Sequence, residues 1–256
     1  LTTPNRNSYM FFVGPLGTYF NKYTCGVAIM HLPFYLTATY LAPVFGQQPD
    51  GYSDIFEIFL FIGSAFYTLT GLFFIRKTLL KYYNDFSTAI TILALGIGSN
   101  LFVYVTSEPG LSHSYSFCLA SIFIWLTVKW HESADLKTSF FLGSILGLII
   151  LLRPVNGIIM LIFICFGIKN LNDFKSQLKY FFTKSKLLIA IAVSAFIFLT
   201  PQLYYWKLLT GKWIYYSYGD ERFFFSHPHL IDGFFSFRNG VLIYTPVIIF
   251  SIIGLF

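Results

Sequence analysis

The amino-acid sequence predicts an all-α integral membrane protein, a multi-span helical bundle, and both its composition and its hydrophobic pattern lead to this prediction. Of the 256 residues, 56% are hydrophobic and only 11% are charged, and the mean hydropathy is +0.67. A soluble domain carries about a quarter charged residues. Long apolar runs also match the roughly 20 residues that cross the hydrocarbon core of a bilayer. The composition therefore excludes a soluble globular domain.

Apolar runs recur along the whole chain and define the predicted spans. Each run is expected to be a helix because backbone polar groups in lipid must be paired within the segment. The runs are residues 25–45, 54–75, 86–104, 112–130, 138–152, 155–168, 186–205 and the segment from 240 onward. They predict about seven to eight spans in a single polytopic transmembrane domain over residues 1–256. A long aromatic loop, residues 206–239, lies within this domain.

The dipeptide Arg153–Pro154 separates two of the shorter apolar runs. These runs fit two helices joined by a tight turn, and they also fit one kinked or re-entrant element. Proline lacks a backbone N–H and interrupts a helix, and the turn-forming pair Asn156–Gly157 follows directly. The sequence therefore favours two helices.

Lysine and arginine are unevenly distributed among the connecting loops. The loops that are rich in them are residues 76–85, 129–137 and 169–186. By the positive-inside rule these loops face the cytoplasm. The segments that then share the outer face are residues 1–24, 108–113, 153 and 206–238. The polar residues that are hardest to explain as simple linkers therefore fall on one side of the membrane.

Cysteine and histidine spacing gives little indication of a metal site. Cys25, Cys118 and Cys165 lie far apart within apolar runs, which argues against a disulfide framework or a zinc site. His227 and His229 are spaced like a pair of ligands, but no clear third or fourth ligand accompanies them. We expect no metal and no cofactor, although a divalent ion is compatible with the sequence. The net charge of +6 forms no continuous basic face, so no nucleic acid is expected.

Glu108 and His113 lie in a turn between two predicted spans. A carboxylate and an imidazole at the mouth of a helix can serve as acid and base, or can bind a polar substrate. The alternative is a capped interfacial turn, for which Ser112 is a suitable N-cap. Both interpretations remain open from the sequence.

Arg153 and the outer loop are the remaining candidate binding elements. A guanidinium that interrupts an apolar run can hold a phosphate or carboxylate through two parallel hydrogen bonds, or it can extend to the interface. In the loop, aromatic residues surround Arg222 and Arg238 together with two acidic residues. This composition suits a sugar face or a lipid-phosphate head group. A structural cap over the bundle is the competing interpretation.

Four segments of the chain resemble the GT-C superfamily of membrane glycosyltransferases. The segments are residues 22–34, 108–117, 152–157 and 232–246. The third contains the Arg-Pro junction, and the last includes the stretch GFFSFRNGVLIYTP. The likeness is strongest to bacterial members of the protein-mannosyltransferase and aminoarabinose-transferase type, and to glycosyltransferase-like proteins of Bacteroidetes type. It extends over nearly the whole chain.

The resemblance implies an enzyme that takes a hexose or pentose from a polyprenyl-phosphate carrier on the periplasmic side of the bacterial inner membrane. The acceptor would be a lipid, a glycan or a protein. Arg153, with Arg222 or Arg238, would neutralise the leaving phosphate, and Glu108 and His113 would bind sugar or phosphate.

The same resemblance places the catalytic carboxylate in the first outer loop, after the first span. Residues 1–24 contain no aspartate or glutamate. We therefore expect the sequence to be a fragment that is cut at both ends and lacks this span and loop, and the catalytic base to lie outside it.

Two other classes of protein fit a polytopic chain. A transporter or flippase-like protein is expected to carry ionisable residues near the bilayer midplane, and the predicted spans are almost free of charge. A non-catalytic membrane scaffold would tolerate replacement of Glu108, His113 and Arg153 without loss of function.

Overall fold

The computed structural model describes residues 11–218, 225–226, 228–238 and 240–254, and most of these residues are helical. A short antiparallel hairpin, β1 (Phe11–Val13) and β2 (Tyr19–Asn21), stands at the start, so the described chain is nearly all-α. The chain divides into two compact units. The first unit comprises residues 1–30 and 119–220, and the second comprises residues 31–118 and 221–256.

Twelve α-helices follow the hairpin within the described residues. They are α1 (Gly26–Leu41), α2 (Asp54–Leu79), α3 (Asp85–Ile97), α4 (Asn100–Thr106), α5 (His113–Glu132), α6 (Leu136–Leu152), α7 (Met160–Ile164), α8 (Leu171–Thr183), α9 (Ser185–Thr210), α10 (Leu230–Phe235), α11 (Val241–Tyr244) and α12 (Ile248–Ile253). Short 3-10 helices follow α1 at Ala42–Phe45 and precede α7 at Pro154–Ile159.

Three of the described helical segments are long and apolar enough to cross a membrane: Gly26–Phe45, α2 and α9. A fourth is reached if α3 and α4, which meet at an angle of 51°, form one broken span. The break falls at Gly98–Ser99, a pair that commonly bends helices. At this break the Ser99 hydroxyl donates to the Leu95 carbonyl, near the end of α3, at 2.6 Å. The predicted membrane character and helical class are confirmed.

The break at Arg153 follows the sequence-based expectation. Helix α6 ends at Leu152, Arg153 is extended with φ −153° and ψ 121°, and Pro154 opens the 3-10 turn. The predicted preference for two separate helical elements is therefore confirmed. Both elements belong to the first unit.

The predicted outer loop begins later than the sequence indicated. Helix α9 continues past residue 205 to Thr210 and ends at Gly211, which has a positive φ of 76°. Its last turn is stabilised because Lys207 Nζ donates to the Gly211 carbonyl at 2.9 Å and Thr210 Oγ1 donates to the Trp206 carbonyl at 2.7 Å. The short helix α10 also lies within the predicted loop.

Helices α6 and α9 pack with their backbones in contact. Gly143 and Gly147, spaced as in a GxxxG motif, face α9. A Cβ at Gly143 would collide with the Ile191 carbonyl oxygen and with Ser194 Oγ, and one at Gly147 would lie 2.5 Å from the Ala195 carbonyl oxygen. Only glycine permits this approach at either position.

The start of α6 is fixed by a capping residue and a buried indole. Asp135 accepts a hydrogen bond from the Thr138 backbone N–H at 2.7 Å and another from its hydroxyl at 2.8 Å. These bonds favour the ionised form and hold the pKa of Asp135 below its usual value. Trp130 is fully buried, and its indole N–H donates to Ser139 Oγ at 2.8 Å.

The second unit is organised by contacts between α2 and the start of α5. Ser64 Oγ donates to Ser114 Oγ at 2.8 Å, and both side chains are buried. About two turns further along α2, a Cβ at Gly71 would lie 2.7 Å from the Phe117 ring. The two helices therefore approach closely along this face.

Replacing Gly143 with alanine is expected to destabilise the first unit. The added Cβ must displace α9 backbone, which costs about 1–3 kcal/mol and lowers the melting temperature by about 2–4 °C per kcal/mol. The measurement is the temperature at which half of the purified protein in detergent loses its monodisperse elution.

Gly96→Ala in α3 is the matched control. A Cβ there would meet its nearest neighbour, a Leu72 methyl carbon, at 3.5 Å, which is ordinary contact. Alanine also favours a helix by about 1 kcal/mol over glycine. The control is expected to be neutral or stabilising. Equal stability of the Gly143 and Gly96 variants would contradict the close packing of α6 on α9.

Candidate functional site

Several segments of the first unit meet at one place, which we call the hairpin junction. The junction consists of residues 18–26, the end of α6, the last turns of α9 and residues 211–218. The hairpin is tied to α9 because Thr18 Oγ1 donates to the Leu209 carbonyl. The Tyr205 hydroxyl accepts from the Asn21 backbone N–H at 2.8 Å. The loop beyond α9 is tied in as well, through Ser217 Oγ, which donates to the Lys22 carbonyl at 2.6 Å.

The start of α1 is docked on the ends of α6 and α9. Thr24 Oγ1 donates to the Leu152 carbonyl at 3.2 Å, which pairs one of the carbonyls left open at the end of α6. Gly26 lies against the backbone of Leu151, where a Cβ would have no room. From α9, Gln202 Oε1 accepts the Cys25 backbone N–H at 2.8 Å.

Lys22 is buried in the hairpin junction, with only 4% of its surface exposed. Its ammonium lies 5.3 Å from the centroid of the Tyr218 ring and 5.7 Å from that of Tyr23. Aromatic faces attract a cation, and the attraction grows when the pair is shielded from water. The hairpin junction therefore surrounds a buried lysine side chain with aromatic rings.

Arg153 supplies a second cation at the same end of the unit. It directly follows Leu152, the residue that is hydrogen-bonded to Thr24, and it is half-buried. Within the part of the chain that the structure describes, no ion pair engages its guanidinium. An arginine of this kind can form two parallel hydrogen bonds with a phosphate or carboxylate.

Two buried donors lie on the same stretch of α9. Gln202 is 3% exposed, and its Nε2 has no hydrogen-bond partner among the described residues. The same holds for the indole Nε1 of Trp206, one turn further along. Buried donors are usually paired, so these two N–H groups are available to an acceptor on a ligand.

An apolar groove of about 830 Å³ runs beside the junction along the outside of α9. It lies entirely within the first unit. Its lining includes Phe196, Thr200, Pro201, Tyr204, Trp213 and Ile214. The groove is suited to a hydrocarbon chain because its walls are almost entirely apolar.

Glu108 and His113 belong to the second unit. Glu108 is exposed, and its carbonyl accepts from the Leu111 backbone N–H at 3.1 Å within the turn. The His113 ring stacks on Tyr104, with centroids 3.7 Å apart. The turn is also held by Tyr115, whose hydroxyl donates to the Pro109 carbonyl at 3.3 Å. These contacts account for an ordered turn, and the role of Glu108 and His113 in binding stays a prediction.

The remaining predicted site residues lie in the outer loop. Arg238, also in the second unit, has an exposed side chain, and its backbone N–H donates to Ser236 Oγ at 3.1 Å. Arg222 and His227 lie outside the described residues. His229 pairs with Asp232 at 3.4 Å, and both side chains are exposed. Among the described residues no group of three or more His, Cys, Asp or Glu side chains is placed to hold a metal ion.

Sequence reasoning missed three residues of the hairpin junction as site residues, namely Lys22, Gln202 and Trp206. In the sequence, Lys22 stands out only as part of a segment that resembles a known family. Gln202 was not singled out, although an amide within an apolar run was a signal in its own right. The burial of Lys22 had no local signal because its hydrogen bond to Ser217 joins residues 195 positions apart.

Comparison of the sequence with models of known protein families, with curated proteins and with solved structures finds no match. A functional assignment therefore rests on the chemistry of the residues and on their arrangement in the two units.

Replacing Gln202 with leucine is expected to open the hairpin junction locally. The Cys25 backbone N–H would lose its acceptor while staying largely shielded from water, at a cost of about 1–3 kcal/mol. Amide hydrogen exchange of the peptide that contains Cys25, read by mass spectrometry, is expected to accelerate by about fivefold or more, since 1.4 kcal/mol is a factor of ten.

Tyr204→Phe is the control for this substitution. Its side chain is 59% exposed and lies two residues away on α9. Its exchange pattern should match that of the unchanged protein. Unaltered protection of Cys25 in the Gln202→Leu protein would show that this hydrogen bond does not hold α1 to α9.

Proposed function

We propose that this chain is a membrane glycosyltransferase that moves a sugar from a polyprenyl-phosphate donor to a lipid, glycan or protein acceptor. The proposed location is the periplasmic face of the bacterial inner membrane. The observation that carries the proposal is the hairpin junction, which gathers Lys22, Arg153 and several tyrosines at one end of the first unit beside an apolar groove.

The proposal includes a larger number of spans than the long apolar helices alone provide. In it, α5, α6, the segment Pro154–Ile164 and the residues from 240 onward complete a bundle of about seven to eight spans. Residues 206–239 would form the aromatic outer loop, beginning in the structure after Thr210. Apolar helices of intermediate length, such as α6 with 17 residues, support this count.

A polyprenyl-phosphate donor has two chemical parts, and the first unit offers a suitable setting for each. The isoprenoid chain is a hydrocarbon, which suits the apolar groove beside α9. The phosphate is an anion, for which Arg153 provides a planar pair of donors and Lys22 a buried positive charge. The N–H groups of Gln202 and Trp206 would complete the set of donors.

The proposed reaction is an inverting displacement at the anomeric carbon of the sugar. The hydroxyl oxygen of the acceptor forms a bond to that carbon while the bond from the carbon to the phosphate oxygen breaks. The electron pair of the broken bond stays on the polyprenyl phosphate. The hydroxyl proton passes to a base, for which the resemblance implies a loop carboxylate. Arg153 and Lys22 would stabilise the charge that develops on the leaving phosphate.

Further ligands of the donor are proposed from the sequence. Glu108, His113 and Arg238 are proposed to bind sugar or phosphate, and Arg222 is proposed to neutralise phosphate charge together with Arg153. Substitution of each residue tests its role separately.

A transporter is the second candidate function, and one observation favours it. His31 lies inside α1, within a segment long enough to cross a membrane, and its ring nitrogen Nδ1 is buried with no hydrogen-bond partner among the described residues. An ionisable side chain in a span often marks a transport pathway. Glycosyl transfer is preferred because the two cations of the junction lie at the end of the helices rather than within them.

Arg153→Ala is expected to reduce sugar transfer strongly. Removal of one donor to a developing charge typically lowers turnover by about 100- to 1000-fold. The assay measures transfer of a radiolabelled hexose or pentose from a polyprenyl-phosphate donor into lipid, glycan and protein fractions, in membranes that contain the full-length protein. Arg153→Lys keeps the charge but loses the planar donor pair, so we expect it to restore only part of the activity.

The abundance and membrane insertion of each variant must match those of the unchanged protein. Unchanged transfer by Arg153→Ala would remove Arg153 from the mechanism. Absence of transfer by the unchanged protein, together with His31-dependent uptake of the donor or another solute into vesicles, would replace the transferase assignment with a transporter.

A further inference from the structure

Helix α8 carries a row of apolar side chains that the rest of the first unit does not cover. The row repeats at intervals of three and four residues, which places it on one side of the helix. Its members and their exposed fractions are Leu171 (79%), Phe174 (40%), Leu178 (40%) and Phe182 (79%). Exposed apolar rows of this kind usually mark a surface that contacts a partner or a membrane.

Another side of α8 is firmly attached to the first unit, so the orientation of the apolar row is fixed. Phe181 stacks on Phe163, with ring centroids 5.4 Å apart and planes within 12°. Tyr180 packs edge-on against the buried Trp130 at 5.8 Å. Gln177 Nε2 lies 3.4 Å from His131 Nδ1. The exposure of Leu178 and Phe182 therefore reflects the packing of the helix and not a detached segment.

Lysines flank the apolar row. Residues 169–186 contain five lysines and a single acid, Asp173. The acid is engaged at the start of α8, where its Oδ2 accepts the Lys169 backbone N–H at 2.9 Å. Lys175 and Lys179 lie one turn apart beside the row, and both are exposed. A surface with apolar and cationic residues side by side is complementary to a layer of anionic head groups over hydrocarbon.

The position of α8 in the chain indicates that its apolar and cationic surface faces the bilayer that the protein spans. A single residue, Lys184, separates the end of α8 from the start of α9. Helix α9 has 26 residues and is long and apolar enough to cross a membrane. The end of α8 must therefore lie where α9 enters the bilayer. A soluble partner would have to compete with the lipid head groups for this surface.

We infer that α8 is an interfacial helix that binds anionic lipid in the leaflet where α9 begins. Leu171, Leu178 and Phe182 reach into the acyl region, and Lys175 and Lys179 bind lipid phosphates. The inference requires only that α9 spans a membrane, and it does not depend on sugar transfer.

The test uses the full chain, with its three cysteines replaced by serine, reconstituted in nanodiscs of phosphatidylcholine with or without phosphatidylglycerol. One cysteine is introduced at Leu178 or, as the control, at Ser176 on a different side of α8, and it carries a polarity-sensitive fluorophore. Spin-labelled lipids serve as quenchers. We expect blue-shifted emission and strong quenching at position 178, and water-like emission with weak quenching at position 176.

Charge selectivity is read from the ratio of quenching by spin-labelled phosphatidylglycerol to quenching by spin-labelled phosphatidylcholine. At position 178 this ratio is expected to exceed one by severalfold in the unchanged protein. It should fall towards one when Lys175→Gln and Lys179→Gln are combined. Lys212→Gln, which removes an exposed lysine at the far end of α9, should leave the ratio unchanged.

Two results would overturn the inference. Water-like emission at position 178, or emission that lipid quenchers do not affect, would show that the apolar row does not enter the bilayer. A quenching ratio of one in the unchanged protein would show that position 178 contacts lipid without a preference for anionic head groups. The introduced cysteines and the lysine substitutions alter exposed side chains, so their monodisperse elution is expected to match that of the parent protein without its native cysteines.

Discussion

The backbone contact between α6 and α9 is the constraint on which the first unit depends. Gly143 and Gly147 bring the two helices together without intervening side chains. Both helices then end at the hairpin junction, where the Leu152 carbonyl and the Gln202 amide receive the start of α1. A wider separation of α6 and α9 would pull these two groups apart, so the docking of α1 depends on residues deep inside the helix pair.

The two ends of α9 differ in how they hold positive charge. With 26 residues, α9 is about 39 Å long at 1.5 Å per residue. At its start, the lysines of α8 are exposed beside an apolar row. At its end, Lys22 is buried between tyrosine rings and Arg153 is half-buried. Exposed lysines are strongly screened by salt, whereas buried cations keep most of their field. The exposed lysines at the start of α9 suit a fluid layer of head groups, and the shielded cations at its end suit one bound anion.

Much of the secondary structure followed from the sequence because lipid allows few alternatives. Apolar runs must be helical, and Arg153–Pro154 had to interrupt the run that contains it. The end of α9 at Thr210 was not foreseen because Trp206 and Lys207 resemble the polar flank of a span. Their side chains belong to the last turns of the helix, where Lys207 bonds the Gly211 carbonyl. Hydrophobicity alone cannot locate a terminus that depends on such capping.

The candidate site was less predictable than the helices. The exposed turn at Glu108 could be recognised because its polar residues lie close together in the sequence, and Arg153 because it interrupts an apolar run. The burial of Lys22 and the pairing of α6 with α9 depend on residues distant in the sequence. A GxxxG pattern identifies a face that favours close packing, but it does not name the partner helix. Such information appears only when the chain is folded.

The placement of the indole rings has a spectroscopic consequence. All four tryptophans of the chain, Trp125, Trp130, Trp206 and Trp213, belong to the first unit. Trp130 is fully buried beside α8, whereas Trp213, within the hairpin junction, is largely exposed. Intrinsic tryptophan emission therefore reports on the first unit alone. The second unit, which holds no tryptophan, can unfold without a direct change in that signal.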